Sequence, residues 1–395
     1  MPEITSDDGR YVLAVQGDRN VVVYDRGRPV WDRFSYEASQ AETSTAVTSP
    51  AETSPALPAT PAAPTVSVPG VLPPGIAGRV IQVTSADDGD LVPRMYSYWS
   101  NAWIDNDTAV VFAGHVDGRP RFFRVRLASG SVERLGPRLP YTGTGEGWYW
   151  DAAGWIYLCD GPRLRRVNPF DGQDQVVFDF SDRMPGCALW QAHSSDDGQV
   201  HSATVQQTGG NDTWPKIGTA VYRNGQIEYF PAKGVLDESQ VTSDGAFLII
   251  KEDDDNRIIT LATGEERLLR DADGAVGHSD CGPGIVVGEA NLPEPGACVL
   301  WDLRQPLTLD RRRTLFTTWN MGYVALRGGR CLHSDATHLS LVDLESGQRT
   351  PVVAHGCNAG NDYDSRVKAN LDPTGRVACY MTNAGGRFDV SLLAL

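Results

Sequence analysis

"ANLDPTGRVACYMTNAGGRFDVSLLAL" runs from Ala369 to Leu395. It holds a turn with Asp and Gly, an apolar strand, a polar hairpin and a second apolar strand. Short apolar runs bounded by Gly, Asp, Asn and Pro read as antiparallel strands joined by tight turns. The same order returns upstream in "VTSDGAFLIIKEDDDNRIITLATGEERLL" from Val241, "GPGIVVGEANLPEPGACVLWDL" from Gly282 and "ALRGGRCLHSDATHLSLVDLESGQRTPV" from Ala325. It also returns in "WIDNDTAVVFAGHVDGRPRFFRVRLASGSVERL" from Trp103, "YWDAAGWIYLCDGPRLRRVNPFDGQDQVVF" from Tyr149 and "WQAHSSDDGQVHSATV" from Trp190. A turn, an inner strand, two further strands and an outer strand, repeated at roughly 40–50 residues, is the grammar of a propeller blade. The units number seven. "GRVIQVTS" (Gly78 to Ser85) is left over at the front, and the last unit lacks its outer strand. Pairing the two removes the free sheet edges.

The whole chain is expected to be all-β, a seven-bladed β-propeller preceded by a short β-prism-II-like module and a linker. Residues 1–36 are strand-rich. Residues 37–76 are mostly Ala, Thr, Ser and Pro with no aromatic, a composition that stays extended and builds no core. Fully extended, that segment spans roughly 120 Å. Residues 77–395 form the propeller.

Net charge is −15, which argues against nucleic-acid binding. No apolar run is long enough to span a bilayer, so no membrane insertion is expected. No signal peptide is visible at "MPEITSDDGR", so the protein is expected to be made in the cytoplasm. Seven cysteines without a CxxC pair read as buried free thiols. "KEDDDNR" (Lys251 to Arg257) lacks the glycine and terminal Glu of a calcium loop and reads as a solvated turn.

"VQGDRNVVVY" (Val15 to Tyr24) sets Gln16, Asp18, Asn20, Val22 and Tyr24 on alternate positions, one face of a strand. The pattern resembles the QxDxNxVxY motif of bulb-type, mannose-binding lectins. The resemblance implies that Gln16, Asp18 and Asn20 bridge sugar hydroxyls, Val22 packs on the ring and Tyr24 adds a hydrogen bond. That fold needs three such sheets and this chain has one repeat. Three chains contributing one sheet each would complete it, which makes the expected assembly a homotrimer. The alternative is that these residues serve assembly and bind no sugar.

The body resembles the propellers of the oligogalacturonate lyase and TolB-like group, on Ala369 to Leu395 and on "GHSDCGPGIVVGEA" (Gly277 to Ala290). In the metal-dependent members a His pair precedes the last blade's inner strand. That pattern falls here on Arg366 and Lys368, which cannot ligate a metal at neutral pH. No metal and no cofactor are therefore expected.

Segments entering the inner strands are expected to crowd one mouth of the channel. They supply Tyr98, Trp99 and Asn101, then Glu146, Trp148 and Tyr149, then Trp190, Gln191 and His193. Glu238, Gln240, His278, Asp280, Trp319, Asn320, Arg366 and Lys368 complete the set. Rings stack on sugar C–H faces and amides read hydroxyls. If the chain is a lyase, His193 or His278 is the base, Tyr149 the acid and Arg366 the carboxylate clamp. Ser194 and Ser195 form no GxSxG elbow, which disfavours a serine hydrolase.

Head, spacer and globule together suggest a glycan-engaging attachment or assembly protein, such as a virion-associated phage tail fibre component, with a polysaccharide or cell-surface glycan as partner. The alternatives are a polysaccharide lyase acting on uronic-acid glycans by β-elimination, and a protein–protein scaffold.

Overall fold

The computed structural model describes four N-terminal strands by their backbone, and residues 75–92, 95–96, 98–136, 148–207, 214–318, 322–357 and 366–395 in full. The chain divides into two units, residues 1–59 and 60–395. In the first, Glu3–Thr5, Tyr11–Val15, Val21–Asp25 and Arg28–Asp32 form one antiparallel sheet in chain order. Gln16, Asp18 and Asn20 lie outside the described residues. Val22 and Tyr24 sit on the third strand, paired through the backbone with Ala14 and Val12, and their side chains are likewise outside the description.

The second unit is a ring of seven four-stranded antiparallel sheets. The inner strands are, in order, Ala102–Asp105, Tyr149–Trp150, Ala188–Ser194, Leu236–Val241, Val276–Gly282, Tyr323–Arg327 and Asn370–Leu371. Blades 1 to 7 take their numbers from these. The only helical segments among the described residues are single 3₁₀ turns such as Ala86–Asp88. Val80–Gln82 is the outer strand of blade 7, with Ile81 opposite Leu392. The chain's first propeller strand thus completes its last blade. No described helix is long and apolar enough to cross a membrane.

The Asp- and Gly-bearing turns recur because they share a hydrogen-bond scheme. In blade 7, Asp372 accepts the backbone N–H groups of Thr374, Arg376 and Val377. In blade 4, Asp244 accepts the Thr242 hydroxyl at 2.6 Å and the Ala246 N–H at 3.2 Å. Blade 3 repeats this with Ser195 and Asp197. Gly375 has φ +68°, and a Cβ there would lie 2.4 Å from the Arg327 carbonyl, so the turns of blades 6 and 7 meet only because it is glycine.

Apolar strand faces pack blade against blade. Trp148 stacks on Phe112 with centroids 5.0 Å apart, and Trp301 is fully buried with its indole N–H on the Gly274 carbonyl at 3.0 Å. All seven cysteines are free, and all but Cys357 are buried. The "KEDDDNR" stretch departs from the solvated turn expected of it. Only Asp253 and Asp254 are exposed at its tip, while Lys251, Glu252, Asn256 and Arg257 are buried. Lys251 pairs with Glu238, and Arg257 pairs with Glu252 at 2.9 Å. Glu238 lies on the inner strand outside the stretch, so charge density along it could not reveal the partner of Lys251.

Blades 1 and 7 are locked by a reciprocal amide pair. Asn370 Nδ2 donates to Asn101 Oδ1 at 2.7 Å, and the Asn101 backbone N–H donates to Asn370 Oδ1 at 3.1 Å. Both residues are fully buried. Replacing Asn370 with Ala strands two buried polar groups, which costs about 1–3 kcal/mol. Urea denaturation should show that loss, and a change under about 0.5 kcal/mol would contradict the lock.

Candidate functional site

Inner strands place successive side chains alternately toward the channel and the blade interface. A β-bulge interrupts that rule in blades 3, 4 and 5, between Trp190 and His193, Leu236 and Ser239, and Val276 and Ser279. In blade 3 it is marked by Gln191 at φ +47°. A bulge re-aims the residues that follow it, and here the next paired residue is His193.

The candidate residues do not gather at one mouth. Tyr98 and Trp99 from the segment before blade 1, Tyr149 of the blade 2 inner strand and His193 of the blade 3 inner strand meet where the inner strands give way to turns, the turn end of the channel. A cavity of about 390 Å³ opens there. Tyr98, Trp99, Tyr149, His193, Ser194, Asp196 and Arg327 line it, with Ile285, Leu326 and Leu344 among its apolar walls. The Tyr98 ring lies 4.7 Å from the His193 ring, and the Trp99 indole N–H donates to the Ala192 carbonyl at 3.1 Å. His193 is buried, and its Nε2 has no hydrogen-bond partner among the described residues. Burial, with Arg327 and Lys251 nearby, holds its pKa well below the ordinary value, so the imidazole is neutral.

Arg327 anchors this end. Its Nη1 reaches both oxygens of Asp280 at 3.0 and 2.9 Å, and its Nη2 donates to the Tyr98 carbonyl at 2.6 Å. Asp280 also accepts the N–H groups of Leu326 at 2.7 Å and Cys281 at 2.8 Å. One buried ion pair thus ties blades 5 and 6 to the segment that leads into blade 1. Burial nevertheless pushes the Asp280 carboxyl up to about 6, against the downward pull of Arg327.

Toward the start of the inner strands, the leading end, Lys368 Nζ lies 4.6 Å from the Tyr96 centroid and 6.0 Å from that of Tyr323, and the Tyr96 ring stacks on the cavity's Tyr98 at 5.3 Å. His278 packs on Tyr323 at 4.5 Å. Burial pushes His278 down to about 4, and Lys251, Lys368 and Arg366 act in the same direction. Glu238 binds the buried Lys251 and accepts from Gln240 at 3.1 Å. The sequence's base, acid and clamp are therefore divided. His193 and Tyr149 share the cavity, while His278 and Arg366 lie at the leading end.

The remaining candidates are placed as follows. Trp148 is fully buried between blades 1 and 2, and Asn101 belongs to the amide lock. Trp190 and Gln191 are buried in the blade 3 bulge. Glu146, Trp319 and Asn320 lie outside the described residues. Arg327 and Asp196 line the cavity without being among the residues expected from the sequence, and Ser194, set aside there for want of a GxSxG elbow, lines it too. The available signal was a charged or polar residue ending an inner strand just before its turn, as in "ALRGG" and "HSSDDG".

No family model and no curated protein matches the sequence. Solved structures do resemble it. An oligogalacturonate lyase from Vibrio parahaemolyticus aligns at TM-score 0.57 and 11% identity, over 79% of this chain and 92% of that one. An oligogalacturonate lyase in complex with manganese aligns at TM-score 0.59 and 13% identity, over 80% and 93%. At these identities the likeness is one of fold, and it places the chain among seven-bladed β-propellers. Among the described residues no three His, Cys, Asp or Glu side chains form a set able to hold a metal ion. Arg366 and Lys368 bring cations to the approach to blade 7, which does not fit a metal centre.

The sign of the Asp280 shift gives a test. Its folded value of about 6 lies above the ordinary carboxylate value. The anion therefore costs stability above about pH 6, and that cost vanishes as pH falls below the unfolded value of about 4. Carbon-13 titration of the Asp280 carboxyl should give a midpoint near 6. Replacing Arg327 with Met should move it higher, and a midpoint that falls would contradict the pair.

Proposed function

We propose that this chain is a glycan-engaging β-propeller that holds a short saccharide segment in the turn-end cavity, as part of an attachment or assembly protein. The carrying observation is the makeup of that cavity: aromatic side chains from the segment before blade 1 and from blade 2, beside His193, Ser194, Asp196 and Arg327. Aromatic and aliphatic walls with a few convergent polar groups suit a sugar, whose C–H faces pack while its hydroxyls exchange hydrogen bonds. The volume of about 390 Å³ is within the range of small-ligand sites. In this reading the N-terminal sheet brings three chains together and the Pro-rich segment spaces head from propeller. A monomeric mass for the full chain in analytical ultracentrifugation would overturn the trimer.

The binding test is isothermal titration of the full chain against a panel of neutral and uronate oligosaccharides. Binding by at least one panel member should weaken at least about tenfold on Arg327→Met, which strips the cavity of its cation and costs about 1.4 kcal/mol or more. Unchanged affinity in a variant whose circular dichroism matches the parent would remove the cavity from the reading.

A second reading, a polysaccharide lyase, is favoured by His193, Tyr149 and Arg327 lining one cavity as base, acid and carboxylate clamp. It predicts an ultraviolet-absorbing unsaturated product from a uronate polymer, lost in His193→Ala. Binding without that product favours the attachment reading.

A further inference from the structure

One wall of the turn-end cavity carries a hydrogen-bond chain that sugar binding does not require. Ser194 ends the inner strand of blade 3, and His201 lies directly opposite on the next strand, Val200–Gln206. Ser194 Oγ is 2.5 Å from His201 Nδ1. His201 Nε2 is 3.0 Å from the Gly198 carbonyl, which can only accept, so the ring proton is on Nε2 and the Nδ1 lone pair faces the serine. On the other side, the Tyr149 hydroxyl is 2.7 Å from Ser194 Oγ. With the serine proton directed at Nδ1, the phenol donates to the serine oxygen.

The intervening turn fixes this geometry. Ser195 Oγ donates to Asp197 at 2.6 Å and accepts the Val200 N–H at 3.0 Å, while the Gly198 N–H returns to the Ser195 carbonyl at 2.9 Å. His201 is buried, and desolvation pushes it down to about 4, so it is a neutral acceptor at physiological pH. Burial raises Tyr149 well above its ordinary value, so the phenol keeps its proton. Ser194 itself is half-buried and lines the cavity.

We propose that Ser194 is an acyl-transfer nucleophile, with His201 as its base and the Tyr149 phenol as donor to the oxyanion, and that the cavity hydrolyses short-chain carboxylic esters. Ser194 Oγ attacks the ester carbonyl carbon as its proton passes to His201 Nδ1. The carbonyl π pair moves onto oxygen, where the Tyr149 O–H meets it. The tetrahedral adduct collapses, the ester C–O bond breaks, and the leaving alkoxide takes the proton from His201. A water molecule attacks the acyl-serine, gives its proton to His201 and displaces Ser194, which recovers that proton. The balance is ester plus water to carboxylic acid plus alcohol, with no other reactant. A backbone carbonyl takes the place of the usual carboxylate behind the histidine, and the base is correspondingly weak. Turnover is therefore slow, and its rate stays level as pH falls from neutrality to about 5, where a histidine of ordinary pKa would already be protonated.

The test uses the full-length chain with p-nitrophenyl acetate as substrate and a fluorophosphonate probe followed by peptide mass mapping. Expected are a label on Ser194, and hydrolysis that falls at least about 100-fold in Ser194→Ala. Tyr149→Phe should lower kcat about 10²-fold. No label on Ser194 of the unmodified protein overturns the proposal whatever the variants do. Hydrolysis that survives Ser194→Ala, or a rate that falls through an ordinary histidine pKa near 6.5, overturns it as well. None of these readouts depends on sugar binding, so the two readings fail separately.

Discussion

Closure of the ring is the constraint on which everything else rests. Each blade buries its faces only against its neighbours, so a ring with a gap would expose two of them. Val80–Gln82 joins Asp389–Ala394, with Leu392 opposite Ile81, and this pairing stitches the first propeller segment into the last blade. The Asn101–Asn370 pair then fixes blade 1 against blade 7 from the channel side. Hydrogen bonds between strands far apart in sequence replace solvent at what would otherwise be an open edge.

Two clusters of different chemistry meet in the channel, joined by the stacked rings of Tyr96 and Tyr98. At the leading end, aromatic rings, histidine and lysine meet around Tyr323. At the turn end, Arg327, itself held by Asp280, donates to the Tyr98 carbonyl while Tyr98 and Trp99 cover His193. Burying that ion pair carries a desolvation cost, visible in the raised Asp280 carboxyl, and its return is a fixed wall for the cavity. Backbone donors to Asp280 keep the pair in one geometry.

The seven blades share one strand order, yet the turn end is chemically asymmetric. In blades 4 and 7 the Asp of the turn is occupied in capping backbone N–H groups. Blade 3 adds Ser194 and His201 at directly opposed strand positions, next to Tyr149 of blade 2. Blade 6 instead ends its inner strand on Arg327 and passes to glycines, which let its turn approach that of blade 7. Function in such a fold resides in these departures, since the shared frame hosts many chemistries.

The sequence by itself determined the blade count, the strand grammar and the completion of the last blade by the first strand. Alternation and Asp–Gly turns are local signals, and a leftover strand at one end of the propeller segment matches a missing one at the other. It also brought Tyr149, His193, Trp99 and the leading-end residues forward as candidates, because inner-strand positions can be counted. Only the tertiary structure decided which of them meet. A bulge shifts the register by one residue, so counting cannot tell which side of blade 3 faces the channel. The partners of Lys251, Asp280 and Arg327 lie on neighbouring strands and blades, and the Ser194–His201 pair exists only because two strands align in register. Those contacts are set by how the strands align and the blades pack, a property of the closed ring that no single segment carries.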